Sequence, residues 1–194
     1  ETELGEFHTP PGWVSWYVHD PGEWDQPEVG DIRREHVSYR VHDGEKAAKL
    51  FTFYRRHDAG FLQQVDVEPG QTLTLTAWAH AWSNHPLDGY EDCKDNPRCS
   101  CGVGTDEVRL LEPDIPPLNG DPWNDALGNL GFMLGIDLTG GTNPLGASVV
   151  WGDVAYIYNA YHAVPSVEAV AENETVTVFL RSRTLWAFKH NDAY

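Results

Sequence analysis

Between Leu50 and Trp82 apolar and polar positions alternate with the period of two that marks half-buried strands. Phe61, Gln63, Val65 and Val67 fall on one side of a first strand, and Leu62, Gln64 and Asp66 on the other. Glu68-Pro69-Gly70-Gln71 follows. Proline presets φ at the second position of a turn, and glycine takes the positive φ that a type II turn needs at the third, so a hairpin is predicted. The return strand places Leu73, Leu75, Ala77, Ala79 and Ala81 on one face. Thr72, Thr74, Thr76, Trp78, His80 and Trp82 occupy the other. If the leucines enter the core, Trp78, His80 and Trp82 emerge together as a row of flat, amphipathic rings. Such a row is either a stacking platform or a surface covered by a loop or second layer, since large aromatics are generally buried.

The same pattern predicts strands at Lys46–Tyr54, Phe132–Asp137, Ser148–Trp151, Val164–Ala171 and Thr175–Arg181. In Phe132–Asp137, Phe132, Leu134 and Ile136 oppose Met133, Gly135 and Asp137. Residues 1–49 carry little regular pattern, and Pro10-Pro11-Gly12 and Pro21-Gly22 break them into short pieces. Trp13, Trp16, Tyr17 and Trp24 in this stretch are read as plugs for the end of a sandwich, ahead of a cleft lining. Residues 83–129, rich in Pro, Gly, Asp and Asn and without a sustained period, form a long insertion. No amphipathic helix of ten residues and no alternation of strands with helices is found. The expected fold is all-β: one antiparallel β-sandwich domain over residues 1–194, with a long Cys-containing loop insertion at about 83–129.

Charge narrows the partners. The formal net charge is −17, from 13 Lys+Arg against 30 Asp+Glu, which disfavours nucleic acid and anionic membrane surfaces. No apolar run approaches the roughly 18–20 residues of a membrane span, so no membrane insertion is expected. The chain opens on Glu1 rather than methionine, as a processed product or fragment would. Cys93, Cys99 and Cys101 sit together in the insertion. A disulfide from Cys93 to Cys99 or Cys101 would suit an oxidising compartment, and an extracellular or surface location is expected. A zinc site drawn from these cysteines with His80 and His85 is the weaker reading, because the spacing matches no common zinc pattern.

Phe61–Gln71 followed by Leu73-Thr74-Leu75-Thr76-Ala77-Trp78 resembles the "QQV-x-V-x-PG" core of jelly-roll carbohydrate-binding modules and related galactose-binding-like sandwiches. Gly135–Pro144, then Val149-Val150-Trp151, is similar to a "GIDPTGGT-x-P…VVW" signature in uncharacterised extracellular bacterial proteins that end in "W-x-x-KHND-x-Y". Trp186, Lys189, His190, Asn191, Asp192 and Tyr194 stand at that last motif. Leu138 departs from the usual proline, and the final acidic strand of such domains has no counterpart up to Tyr194. The resemblance implies a jelly roll. In many related modules an acidic residue near the N-terminus and one in the final strand hold a structural Ca2+; Glu6 would be the first, with Asp192 substituting for the second.

A sugar has apolar C–H faces and a polar rim, so a glycan-binding sheet needs aromatic planes flanked by hydrogen-bonding side chains. The first functional expectation is therefore a non-catalytic carbohydrate-binding module using Trp78, His80 and Trp82. With jelly-roll pairing, Asp137, Phe179 and Arg181 would share that face, Gly135 would leave room, and Trp151, Trp186, His190 and Asp192 would contribute from loops. The alternative is a structural or assembly module, such as a virion decoration, cell-surface or filament subunit, that uses the same face against protein. Catalysis ranks third. Carboxylate pairs such as Glu91/Asp92, Asp106/Glu107 and Asp121/Asp125 are cheap in so acidic a chain, and no G-x-S-x-G or H-E-x-x-H motif is present. His57-Asp58 and His190-Asn191-Asp192 are read as loop-orienting hydrogen-bond groups.

Overall fold

A computed structural model describes residues 9–20, 24–83, 109–110, 129–157, 160–184, 187 and 189–194. In chain order the strands are β1 (Val14–Tyr17), β2 (Glu28–Arg33), β3 (Lys46–Thr52), β4 (Asp58–Asp66), β5 (Thr72–Ala79), β6 (Ala81–Ser83) and β7 (Arg109–Leu110). They continue with β8 (Leu130–Asp137), β9 (Val149–Trp151), β10 (Ala155–Tyr156), β11 (His162–Val170), β12 (Thr175–Thr184) and β13 (Asn191–Ala193). One 3-10 turn, Ser38–Arg40, interrupts the β2–β3 connection.

Two antiparallel layers result. The first has the order β1-β4-β12-β8-β10-β7, with β9 on the same edge of β8 as β10. The second contains β2-β3-β13-β6, and a separate pairing joins β11 to β5. β5 runs into β6 through His80, whose backbone exchanges both hydrogen bonds with Tyr194, at 2.9 and 2.8 Å. The β6–β13 ladder therefore extends by one pair, and β5 and β11 carry the second layer onward.

Between the layers lies the main core. Val29, Leu50, Ala79, Ala81, Val164, Val167 and Ala193 of the second layer meet Ala59, Phe61, Leu130, Phe132, Leu134, Ile136 and Val176 of the first. Leu73, Leu75 and Ala77 pack against this cluster, so the inward parity read for β5 holds. The even positions of β8 also point inward, as the alternation predicted.

The predicted hairpin is the main correction to the fold. Gly70 has φ +86° and Gln71 N–H donates to the Glu68 carbonyl at 2.9 Å, so the turn forms as the residues dictate. Yet β4 pairs with β1 and β12, while β5 pairs with β11. The turn carries the chain from one layer to the other instead of folding it back on its neighbour. Beside it the β11–β12 connection makes the same crossing, and Val67 N–H to Glu174 O and Gly70 N–H to Ala171 O tie the two arches together. Local turn chemistry fixes the reversal of direction, but it does not say in which sheet the return strand finds its partner.

The first layer is also covered on its outer side. Trp16, Leu62 and Phe179 form one cluster there, and Met133, Val154 and Tyr156 another, with Trp151 touching both. A Cβ on Gly135 would lie 2.7 Å from the Trp151 ring, so glycine is what lets that indole lie flat across β8. The aromatics of residues 1–49 do part of this covering: Trp16 lies edge-on to Phe179 at 6.5 Å, and Trp24 lies under the Arg56 and Arg183 guanidinium groups at 4.8 and 4.5 Å.

Candidate functional site

The outer face of the second layer carries the residues the alternation singled out. Because Ala77, Ala79 and Ala81 point inward, Trp78, His80 and Trp82 all turn outward, and the three differ in what covers them. Trp78 remains 54% exposed. Its indole stacks on the His42 imidazole with centroids 4.4 Å apart and planes 17° from parallel. His42 belongs to the β2–β3 connection, which is firmly held. Val41 is buried, the Arg34 guanidinium donates to the Gly44 and Val41 carbonyls at 2.6 and 3.2 Å, and Tyr161 O–H donates to the Arg40 carbonyl at 3.0 Å. Burial pushes the Tyr161 hydroxyl up to about 12, so it stays a donor throughout the physiological range.

His80 is buried. The rings of Tyr39, Tyr161 and Tyr194 surround it at 6.3, 5.4 and 5.4 Å, and among the described residues neither ring nitrogen has a hydrogen-bond partner. Desolvation, with smaller contributions from Arg40 and His162, lowers its pKa to about 4. It is thus a neutral ring beneath the surface, not a ligand-facing group. The centre of the face is charged: Asp192 pairs with Lys49 at 2.8 Å and with Arg40 at 3.7 Å, and Arg40 also donates to the Tyr194 hydroxyl. At the far end Trp82 is half-buried, with His190 at 6.0 Å and Phe51 and Phe53 beyond. Tyr54, exposed at the strand end, has φ +54°, in the left-handed region that a bulky residue seldom occupies.

The second half of the expected site is elsewhere. Val176 and Leu180 face the core, so Thr177, Phe179 and Arg181 point out of the first layer, away from Trp78. Asp137 lies on that outer side too, paired with Thr177. The structure therefore does not bring Asp137, Phe179 and Arg181 together with Trp78, His80 and Trp82. Phe179 is fully buried under Trp16 and Trp151. The Asp137 carboxylate accepts from Thr139 N–H and O–H, both at 2.8 Å, and from Ser148 O–H at 2.7 Å, locking the turn after β8. Burial works against its charge, but these bonds and one from the Gly141 N–H outweigh it and hold the carboxyl below its ordinary value. Arg181 makes a bidentate pair with Asp58, at 2.7 and 2.5 Å, and lies over Trp151 at 5.3 Å.

His57 is equally structural. It is buried between Thr52 Oγ1, 3.2 Å from Nδ1, and Ser182 Oγ, 3.0 Å from Nε2. Asn191 donates to the Arg55 carbonyl at 3.0 Å. Both motifs thus make the orienting hydrogen bonds expected of them. Asp192 does not suit calcium, since its carboxylate is held between two cations that would repel the ion. Trp186, Glu6, His85 and the three cysteines lie outside the described residues. His42, Tyr39 and Tyr161, which shape the Trp78 face, went unread because they stand in irregular segments with no period to follow.

No family model matches the chain, and no curated protein is significantly similar to it. Solved structures with a similar fold include the following two. The fold is shared with a carbohydrate-binding module. That structure, TmCBM61 in complex with β-1,4-galactotriose, aligns with a TM-score of 0.50 at 12% identity, over 98% of this chain and 88% of the module. The enzymatically active domain of tailspike protein 4 from bacteriophage CBA120 aligns with a TM-score of 0.51 at 11% identity, over 97% of this chain but 19% of that one. At such identities the likeness is one of fold alone.

Chemically, the Trp78 face offers a half-exposed indole made rigid by the ring behind it, with the Tyr39 ring exposed nearby on the same covering connection. It combines apolar planes with hydroxyl, amine and carboxylate groups. That combination suits a ligand with C–H faces and hydroxyl rims.

Proposed function

We propose that the chain is a non-catalytic glycan-binding module of an extracellular or surface protein, with its binding face on the outer side of the second layer around Trp78. The observation that carries this reading is the stacked pair of Trp78 and His42. A large apolar ring left half in water is costly unless something covers it at work, and stacking on His42 fixes it in the orientation a sugar ring would need. The β4–β5 and β11–β12 connections both cross between the layers, which is compatible with the jelly roll the sequence resemblance implies and supports this reading. The carbohydrate-binding module with a similar fold supports the reading as an analogy. Among the described residues, Asp58 is committed to Arg181, Asp137 to its turn and Asp192 to Lys49 and Arg40, which supports a binding rather than a hydrolytic use of these three carboxylates.

A screen of the purified chain on a glycan array, with β-1,4-galactotriose among the probes, tests the proposal. Binding to at least one glycan class is expected, and an array silent at high protein concentration contradicts it. The second reading, an assembly module, draws on exposed Phe53 and Tyr54, the latter held in an uncommon backbone conformation. Light scattering decides between them: a stable symmetric oligomer that buries the Trp78 face would favour assembly, and a monomer that binds glycan would favour recognition.

A further inference from the structure

Of Trp78, His80 and Trp82, only His80 is sealed from solvent, at 1% exposure. A neutral imidazole carries one N–H donor and one acceptor, and here both are buried with no partner among the described residues. A phenyl ring would fill the same space without that cost. The packing alone therefore gives no reason for a histidine at this position.

The rings that enclose His80 are the same ones that fasten the β2–β3 connection. Tyr39 belongs to that connection. Tyr161 donates to the Arg40 carbonyl at 3.0 Å and packs on the His42 ring at 5.3 Å. Tyr194 accepts a hydrogen bond from Arg40 and lies under its guanidinium at 5.0 Å. Two residues beyond Arg40, the His42 ring backs the Trp78 indole at 4.4 Å. Whatever parts the rings around His80 thus loosens the support behind Trp78.

A proton on His80 is such a change. The charged and titratable groups that face it are Tyr39 and Arg40 from the connection, Tyr161 and His162 from the head of β11, and Asp192 and Tyr194 from β13, with Lys49 of β3 beside these last two. Asp192 is the single carboxylate of this set, and Lys49 and Arg40 already share it. Tyrosine faces attract cations, yet Tyr194 already holds Arg40 and Lys49, and Tyr39 holds Arg40. An imidazolium in this place faces the Arg40 charge with no acceptor for its two N–H groups among the described residues, and it reaches water only by opening the cage.

We propose that His80 is an acid-operated latch: a proton on its ring parts the tyrosine cage, frees the connection that carries His42, and weakens the hold of the Trp78 face on its ligand. The last step rests on the glycan reading; the opening itself does not. The direction follows from the lowered pKa, about 4 in the closed cage against about 6.5 in the open one. The cage is most secure above about pH 6.5 and loosens as the pH falls towards 4, with opening favoured on the order of 20-fold more at pH 5 than at pH 7.

Amide hydrogen exchange of the 194-residue chain, read by NMR without ligand, tests the latch. The Arg40 and Val41 amides, which donate to the Val37 and Ser38 carbonyls within the connection, report its opening. Their protection factors are expected to fall at least tenfold from pH 7 to pH 5 in the parent while staying below those of β12, and to change by less than about twofold in His80→Gln. His80→Phe takes its place should the glutamine variant not fold. Three results overturn the proposal: unchanged protection in the parent, an equal fall in the His80 variant, and connection amides that exchange only together with those of β12, which is global unfolding. A second arm titrates the glycan best retained on the array at both pH values. Affinity is expected to be at least fivefold lower at pH 5 in the parent but not in the variant, and equal affinity at the two pH values in the parent overturns the coupling to the face. A silent array contradicts the glycan reading alone, and the exchange measurement still decides the latch.

Discussion

Two histidines buried without charge should make this sandwich acid-labile. His57, wholly enclosed, has its pKa lowered by desolvation to about 3, and His80, in its cage of tyrosines, to about 4. In the unfolded chain both return to about 6.5. The native pKa lies below the unfolded one, so the unfolded state binds more protons at every pH under about 6.5. Each histidine's contribution is fully present above that value and is lost progressively as the pH falls towards 3–4. Between pH 7 and pH 4.5 the linkage relation gives on the order of 2–3 kcal/mol for each histidine, both with the same sign. That is a large share of the roughly 5–15 kcal/mol by which a domain is stable. Through the middle of this range the slope is about 1.4 kcal/mol per pH unit per histidine. Asp137, whose carboxyl is held below its ordinary value, adds a loss of the same sign only at more acidic pH.

Urea unfolding followed by circular dichroism at half-unit steps from pH 7.5 to 4.5 measures the effect, in the parent and in His57→Gln and His80→Gln. Glutamine keeps a donor and an acceptor for Thr52 and Ser182. Any constant offset in stability drops out because slopes are compared. Each single variant should lose about half of the parent's slope between pH 6 and 5, and the double variant should be nearly flat there. A His57→Gln slope equal to the parent's would refute the reasoning, since it would mean that His57 is protonated as readily in the fold as out of it.

Three further substitutions probe the outer side of the first layer and the ion pair on it. Phe179→Ala should cost about 3–5 kcal/mol in urea unfolding, as truncation of a fully buried ring does, and a loss under 1 kcal/mol would place that ring at the surface. Asp58→Ala removes the bidentate partner of a nearly buried Arg181 and should destabilise by about 3–5 kcal/mol; an unchanged midpoint would mean the pair is solvated. Gly135→Ala drives a methyl group into the Trp151 ring and should cost about 1–3 kcal/mol, with a shift of the Trp151 indole resonance as its signature.

The strands with clean alternation were legible in the sequence: β4, β5, β8 and β12 lie where period two put them, with Leu73, Leu75, Phe132, Leu134 and Ile136 inward. β1 and β2 were missed, because Val14–Tyr17 and Glu28–Arg33 are short edge strands whose pattern is broken by nearby prolines and glycines. The type II turn was legible and its consequence was not, since pairing partners are chosen by long-range packing that four residues do not encode. The same limit separates the candidate site into two. Parity correctly sent Trp78, His80 and Trp82 to one side of β5, and Phe179 and Arg181 to one side of β12. Whether two such sides coincide depends on which layer each strand joins. Burial of His80 was beyond reach for a related reason: Tyr39 and His42 come from an aperiodic connection, and Tyr161 from the segment before β11.

On the proposed reading the indole of Trp78 is a sugar platform. Titrating the glycan best retained on the array into the parent chain and into Trp78→Ala, by calorimetry, tests it most directly. With half the ring already in solvent, the substitution should lower stability by only about 1–2 kcal/mol, largely the stacking on His42 and the area it covers. Trp78→Ala is expected to stay folded, with an affinity at least tenfold lower. Equal affinity in the two chains would contradict it and move the binding face away from the second layer.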